Sequence, residues 1–101
     1  MKIAITSQNR RTVTAHAGRC RRFWVYDVED GEIRERELLE LAKTDTLHEL
    51  SPAIPAALQG VDILVSPGMC DNLVARLGRN GIEARQTACD EPDAALRELL
   101  A

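Results

Sequence analysis

The stretch that decides the fold is FWVYDVEDGEI, residues 23–33. Its first half is rich in aromatic and β-branched residues, which favour a strand. Asp30 and Gly31 follow at once, and this dipeptide is the strongest short signal for the tight turn of a β-hairpin. We therefore predict two antiparallel strands joined at this turn. Trp24 and Tyr26 should lie on the same face of the first strand, because side chains alternate along a strand.

The return strand of the hairpin is expected in EIRERELLEL, residues 32–41. Its Glu, Arg and Leu residues have high helix propensity, which opposes this prediction. Ile33 directly after the turn favours a strand, and alternating charges on an exposed edge would discourage aggregation. We therefore prefer the strand.

The flanking sequence completes an α/β pattern. Upstream, residues 3–5 form a short apolar run of the kind that opens an α/β sheet. Downstream, the pattern predicts alternating helices and strands: a helix over 51–59, a strand over 61–65, a helix over 69–79 and a strand over 82–87. Ile54 and Leu58 of the first of these helices should face inward. A last helix follows, and Asp90 together with Asp93 is expected to cap it. Such alternation implies parallel strands. The prediction is a mixed five-stranded sheet, with the first three strands antiparallel and the later ones parallel, flanked by helices.

Composition limits the function classes. The chain has 101 residues, so we expect a single domain spanning residues 1–101. Lys and Arg number 13 and Asp and Glu number 16, which gives a formal charge of −3. Phe23, Trp24 and Tyr26 are the only aromatic residues. An acidic chain with so few stacking side chains is a poor nucleic-acid binder, because phosphate neutralisation needs a basic surface.

The cysteines indicate a reducing compartment. Cys20, Cys70 and Cys89 are an odd number, which argues against a secreted disulfide scaffold. The sequence opens directly on strand-like residues without a signal peptide, and its apolar runs are much shorter than a bilayer span. We expect a cytoplasmic protein with no membrane segment, whose thiols serve either packing or chemistry.

Motifs of common enzyme classes are missing from the sequence. It has no nucleophile elbow, no phosphate-binding P-loop and no dinucleotide-binding glycine motif. Two-metal nuclease chemistry needs several carboxylates that converge on the sheet, and the first strand, residues 2–6, has none. We therefore do not expect two-metal nuclease chemistry.

The residues best suited to bind a ligand are His16, Cys20 and Cys70. His16 and Cys20 are four residues apart with Gly18 between them, and Cys70 follows Gly68 at a predicted helix N-terminus. A thiolate at that position gains from the helix dipole and from free amides. Both cysteines flank loops at strand ends, where an open sheet has its ligand crevice. His and Cys suit soft metals and iron–sulfur clusters, although a single cysteine is more often simple core packing.

Three segments match a known pattern: MKIAITSQ (1–8), TAHAGRCRRFWVYDVEDGEI (14–33) and GVDILVSPGM (60–69). Together they resemble the dinitrogenase iron–molybdenum cofactor biosynthesis family, which includes NifX-like proteins and the C-terminal domain of NifB. The family's His-Phe-Gly-Arg signature stands here as His16-Ala17-Gly18-Arg19. Ala17 replaces the phenylalanine and removes an aromatic side chain from the expected pocket mouth.

The resemblance implies a ribonuclease-H-like three-layer fold without nuclease activity. It also implies a carrier, not an enzyme, that transiently binds an iron–sulfur precursor of the iron–molybdenum cofactor. By position, His16 and Cys70 would be the metal ligands, with Cys20 behind them. Gly18 and Gly68 would let the backbone approach the cluster, and Arg19 would complement its negative charge. The implied partners are cofactor-biosynthesis or nitrogenase-related proteins, with the carrier a monomer or weak homodimer.

Two other functions remain open from the residues. The domain would act as a protein-interaction module if a partner bound the hairpin edge and all three cysteines were structural. It would act as a small-anion or nucleotide sensor if Arg19, Arg21 and Arg22 formed a binding site.

Overall fold

The computed structural model describes residues 1–9, 11–13, 20–50 and 54–100. It contains five strands: β1 (Lys2–Thr6), β2 (Arg22–Glu29), β3 (Glu32–Glu40), β4 (Ile63–Ser66) and β5 (Glu83–Gln86). Two α-helices, α1 (Asp71–Arg79) and α2 (Pro92–Leu100), alternate with the last two strands. A short 3₁₀ helix covers Ala56–Leu58.

The strands form one mixed sheet in the order β3-β2-β1-β4-β5. β1 lies at the centre, antiparallel to β2 and parallel to β4, and β5 continues the parallel half. The predicted sheet, antiparallel in its first three strands and parallel afterwards, is confirmed. The sheet is antiparallel on the β2 side of β1 and parallel on the β4 side.

Each face of the sheet buries its own core, and each core includes one helix. On one face, Leu73 and Leu77 of α1 pack with Ala4, Phe23 and Leu64 of the sheet. On the other face, Ala95 and Leu96 of α2 pack against the alternate side chains of the same strands. These strand residues are Ile3, Ile5, Tyr26, Val28 and Val65. The molecule therefore has three layers, α1, sheet and α2.

The hairpin forms where the sequence predicts it. Asp30 and Gly31 have φ angles of 53° and 77°, the left-handed backbone that a two-residue hairpin turn requires. β3 is a strand in spite of its helix propensity, because pairing with β2 along nearly its whole length outweighs that weak local preference. Trp24 and Tyr26 lie on the α2 face, as strand alternation predicts.

Two details of the predicted helices are wrong. Among the described residues 54–59, the expected helix is reduced to three residues of 3₁₀ helix, because Pro55 has an extended ψ of 139° and no amide hydrogen to donate. Ile54 and Leu58 are nevertheless buried as predicted. The last helix begins at Pro92, and its first turn closes on the Glu91 carbonyl, so the predicted cap Asp90 lies one residue before the N-cap position.

No helix in the described ranges is both long enough and apolar enough to cross a membrane.

Candidate functional site

The candidate site is the edge of the sheet at which β1, β4 and β5 end. Because these three strands are parallel, the loops that follow them leave the sheet on the same side. Cys20 lies two residues before β2 begins at this edge, Cys70 follows β4, and Cys89 follows β5. All three cysteines therefore lie on loops at one edge of the sheet, outside the carboxyl ends of the parallel strands, where open α/β sheets bind their ligands.

Cys70 is the cysteine best placed to meet a ligand. It is exposed and occupies the N-cap position of α1, with an extended backbone (φ −73°, ψ 157°). In the described part of the chain its side chain makes no capping hydrogen bond to the helix. The sulfur is thus accessible to a ligand at the start of α1.

The turn before Cys70 leaves its backbone open. Ser66 ends β4 fully buried, and its hydroxyl donates a hydrogen bond to the carbonyl oxygen of Gly68 at 3.3 Å. Gly68 is exposed, and no described atom lies within 4 Å of the position that a β-carbon would take. Among the described residues, the space directly beside Gly68 is therefore open.

Cys20 has a structural environment. It is 3% exposed and lies in the core between the sheet and α1. Its thiol donates a hydrogen bond to the carbonyl oxygen of Arg22 at 3.0 Å. These contacts match the packing role that is usual for a single buried cysteine.

Cys89 is half-buried and makes a specific contact that no sequence pattern indicates. Its thiol donates a hydrogen bond to a carboxylate oxygen of Glu98 on α2 at 3.0 Å. This bond to an anion raises the pKa of the Cys89 thiol above its usual value, and a hydrogen bond with Thr87 partly opposes the rise.

The remaining predicted site residues, His16, Gly18 and Arg19, fall in 14–19, outside the described residues. Their proximity to Cys70 stays a prediction. Within residues 1–9, 11–13, 20–50 and 54–100, no group of three or more His, Cys, Asp or Glu side chains is placed to hold a metal ion.

Sequence reasoning missed a row of buried hydroxyl residues under this edge. Thr6, Ser7, Ser66 and Thr87 are all buried and stand at or just beyond the ends of β1, β4 and β5. The Ser7 hydroxyl donates to the carbonyl oxygen of Thr12 at 2.7 Å, and Thr87 accepts a hydrogen bond from the Cys89 amide. Hydrogen bonds from these residues connect the loops to the strand ends. Their position at or directly after each apolar strand is the sequence signal that could have predicted them.

Comparison with known proteins adds a family and a fold. The model of the family described as "Dinitrogenase iron-molybdenum cofactor" matches residues 1–101. An uncharacterized protein of Methanocaldococcus jannaschii is 29% identical in an alignment 96 residues long, and the alignment covers 90% of this chain and 80% of that protein.

Two solved structures share the architecture. The crystal structure of PH0822 superposes with a TM-score of 0.80 at 19% identity, covering 99% of this chain and 88% of the other. The NMR structure of a protein from Thermotoga that is provisionally assigned as NifB superposes with a TM-score of 0.71 at 22% identity, covering 97% and 85%. At these identities the structural matches establish the fold alone.

Proposed function

The chain belongs to the dinitrogenase iron-molybdenum cofactor family, and we propose that it is a non-catalytic carrier for an iron–sulfur precursor of that cofactor or for a related cluster. The observation that supports the proposal is the exposed thiol of Cys70, next to the open turn at Gly68 and at the edge where the loops of the parallel strands gather. The cluster is the cargo of this protein, taken up and passed on.

The ligand chemistry fits iron. Cysteine thiolate is the common protein ligand of iron–sulfur clusters, and imidazole also binds iron. In this proposal His16 and Cys70 bind the cluster, and Gly18 and Gly68 allow close approach of the backbone. Arg19 offsets the negative charge of the cluster. Cys20 supports the site from the core, because its sulfur is buried and already hydrogen-bonded.

A cluster bound by few protein ligands is bound weakly, and weak binding allows its transfer to another protein. A structural cluster is normally enclosed by four protein ligands. One exposed thiol and one imidazole leave most of the metal coordination open, so that a receiving protein can displace them. The expected partners are therefore proteins of cofactor biosynthesis or of nitrogenase itself, and the expected compartment is the cytoplasm, where thiols stay reduced.

The test is anaerobic loading with ferrous iron and sulfide, followed by desalting, iron analysis and absorption spectroscopy. We expect Cys70→Ser and His16→Ala each to weaken iron retention by roughly tenfold, which is about 1.4 kcal/mol of binding free energy. Cys89→Ser and His48→Ala are matched controls that remove the same residue types elsewhere and should retain the wild-type level. If the wild-type protein does not retain iron, or if both site variants retain as much iron as the wild type, the carrier proposal is wrong.

A further inference from the structure

A concave surface lies at the same edge of the sheet, where β2 begins and β3 ends, and its lining includes none of the proposed cluster ligands. It is a cleft of about 320 Å³, lined by Arg21, Lys43, Thr46, His48 and Glu49. This volume is at the lower end of the range for small-molecule pockets. All five lining residues belong to the described part of the chain.

The cleft concentrates positive charge on an acidic protein. Arg21 and Lys43 contribute two cations and Glu49 one anion, while the whole chain has a formal charge of −3. Lys43 is exposed and forms no ion pair with any described residue. Arg21 is fixed through its Nε, which donates to the carbonyl oxygen of Leu41 at 3.1 Å. Its terminal nitrogens have no partner among the described residues and stay available.

A buried cation lies against the same segment. Arg76 of α1 is 8% exposed, and its Nη2 donates to the carbonyl oxygen of Leu47 at 2.7 Å. Leu47 stands between the two cleft residues Thr46 and His48. The Nε of Arg76 has no hydrogen-bond partner, and no carboxylate within the described ranges forms an ion pair with it. A buried and unpaired charge is unfavourable, so an anion bound nearby would be attracted by Arg76 as well as by the cleft cations.

The segment that forms the cleft is anchored by its own burial and hydrogen bonds. Leu47 is fully buried, and Thr46 is 4% exposed. The Thr46 hydroxyl accepts a hydrogen bond from the Glu49 amide, and the Thr46 carbonyl accepts one from Leu50. A preformed site avoids the entropy cost of ordering a loop on binding.

Arg22 does not belong to this site, although it neighbours Arg21 in the sequence. Its Nη1 donates to the carbonyl oxygen of Gln8 at 2.9 Å, and its Nη2 pairs with Glu40 at 3.4 Å. Of the described arginines at the start of β2, only Arg21 contributes to the cleft.

From these observations we infer that the cleft binds a phosphate dianion, either free or as the monoester of a small alcohol. Arg21 and Lys43 contact the phosphate oxygens, and Arg76 adds positive potential from below. Glu49 accepts a hydrogen bond from a hydroxyl of the ligand. Because a single phosphate would leave part of the cleft empty, the monoester should bind more tightly than the free ion.

The test compares inorganic phosphate, glycerol 3-phosphate and glycerol by thermal shift and calorimetry at constant ionic strength. A specific binder of the native state raises the melting temperature. We expect both phosphates to do so and glycerol to have no effect. Lys43→Ala should weaken binding by roughly tenfold, since it removes a charged hydrogen-bond donor. Lys2→Ala is the matched control, because Lys2 is exposed and is the other lysine in the chain.

Equal shifts with the two phosphates would assign the site to the free ion, and a larger shift with the ester would assign it to a phosphorylated metabolite. Both results support a phosphate site. No shift with either, or shifts that Lys43→Ala leaves unchanged, would overturn the inference. Iron retention by Lys43→Ala reports separately on the cluster proposal, because Lys43 is not a proposed cluster ligand.

Discussion

At the scale of single residues, the three cysteines differ in what surrounds each sulfur atom. Cys20 is buried and donates to a backbone carbonyl, Cys89 donates to the carboxylate of Glu98, and Cys70 is exposed at the start of α1. Thiol reactivity depends on access and on the fraction of thiolate. Native-state reactivity should therefore be highest at Cys70.

The contact between Cys89 and Glu98 gives a direct test of this difference. Glu98→Gln replaces the carboxylate whose hydrogen bond and negative charge raise the pKa of the Cys89 thiol, so that the thiolate fraction near neutral pH increases. We expect Cys89 to react a few-fold faster with iodoacetamide in the folded protein, as followed by mass spectrometry of its peptide. Glu91→Gln, which removes an exposed carboxylate just before α2, should leave the rate as it is in the wild type. An unchanged rate in Glu98→Gln would show that the carboxylate does not control this thiol.

Site residues were predictable where the cause was local. Cys70 follows a Pro-Gly turn and precedes a helical pattern, so its place at a helix N-terminus could be predicted from the sequence. The partner of Cys89 could not, because Glu98 reaches it only once α2 has packed on the sheet. The cleft has the same origin, since it brings Arg21 against residues 43–49 through the pairing of β2 with β3.

At the scale of elements, α1 shows how a helix end is fixed by two hydrogen bonds and one glycine. Asn80 is the C-cap, and Gly81 follows it with φ 78°. The Ile82 amide donates to the Leu77 carbonyl and the Gly81 amide donates to the Gly78 carbonyl. This is the Schellman pattern, completed by the contact of Ile82 and Leu77 in the core.

The two glycines at this helix end should respond to alanine with opposite signs. Gly78 is inside α1, and no described atom lies within 4 Å of the position that an added methyl group would take. Gly78→Ala should therefore stabilise the protein by about 0.5–1 kcal/mol through helix propensity. Gly81 has a left-handed backbone, so Gly81→Ala should destabilise it by about 1 kcal/mol or more. Urea unfolding of both variants measures the difference, and changes of the same sign would contradict the assignment of this cap.

Elements were predictable where chain chemistry and tertiary packing agree. The Asp30–Gly31 turn, the alternating pattern of β2 and the helical spacing in α1 all point to the structure that forms. The helix expected over 51–59 is a counterexample within 54–59. There a serine-proline start and apolar spacing imitate a helix, while Pro55 restricts the backbone to a short 3₁₀ turn.

At the scale of the whole molecule, one polar network connects the sheet to α2. The buried hydroxyl of Tyr26 on β2 donates to Asp93 at 2.6 Å. Arg36 on β3 pairs with the same carboxylate oxygen at 3.3 Å and lies 4.3 Å from the centre of the Trp24 ring. Three elements from distant parts of the chain, separated by up to 67 residues, are thereby held in one arrangement.

This network predicts the stability of the protein in alkali. Burial first, and then the carboxylate of Asp93, raise the pKa of Tyr26 well above its usual value of 10.0. The unfolded chain loses this proton at lower pH than the folded protein, so the contribution of Tyr26 is complete below about pH 10 and declines above it. Each further pH unit should remove about 1.4 kcal/mol of the free energy of unfolding until the folded protein also ionises.

Tyr26→Phe isolates this effect, because Tyr26 is the only tyrosine in the chain. Urea unfolding from about pH 9 to about pH 11 should show a steeper loss of stability in the wild type than in the variant. Parallel losses in the two proteins would mean that the Tyr26 hydroxyl ionises as readily in the folded state as in the unfolded one.

The central position of β1 also has a consequence for the order of folding on the ribosome. β1 pairs early with β2, which lies close to it in the chain, but its other neighbour β4 comes some 60 residues later. Ile3 and Ile5 remain uncovered until α2 has been synthesised. Between these events we expect β1 to have an open edge, with apolar side chains of β1 and β2 uncovered on both faces, and the nascent chain to be most prone to aggregate.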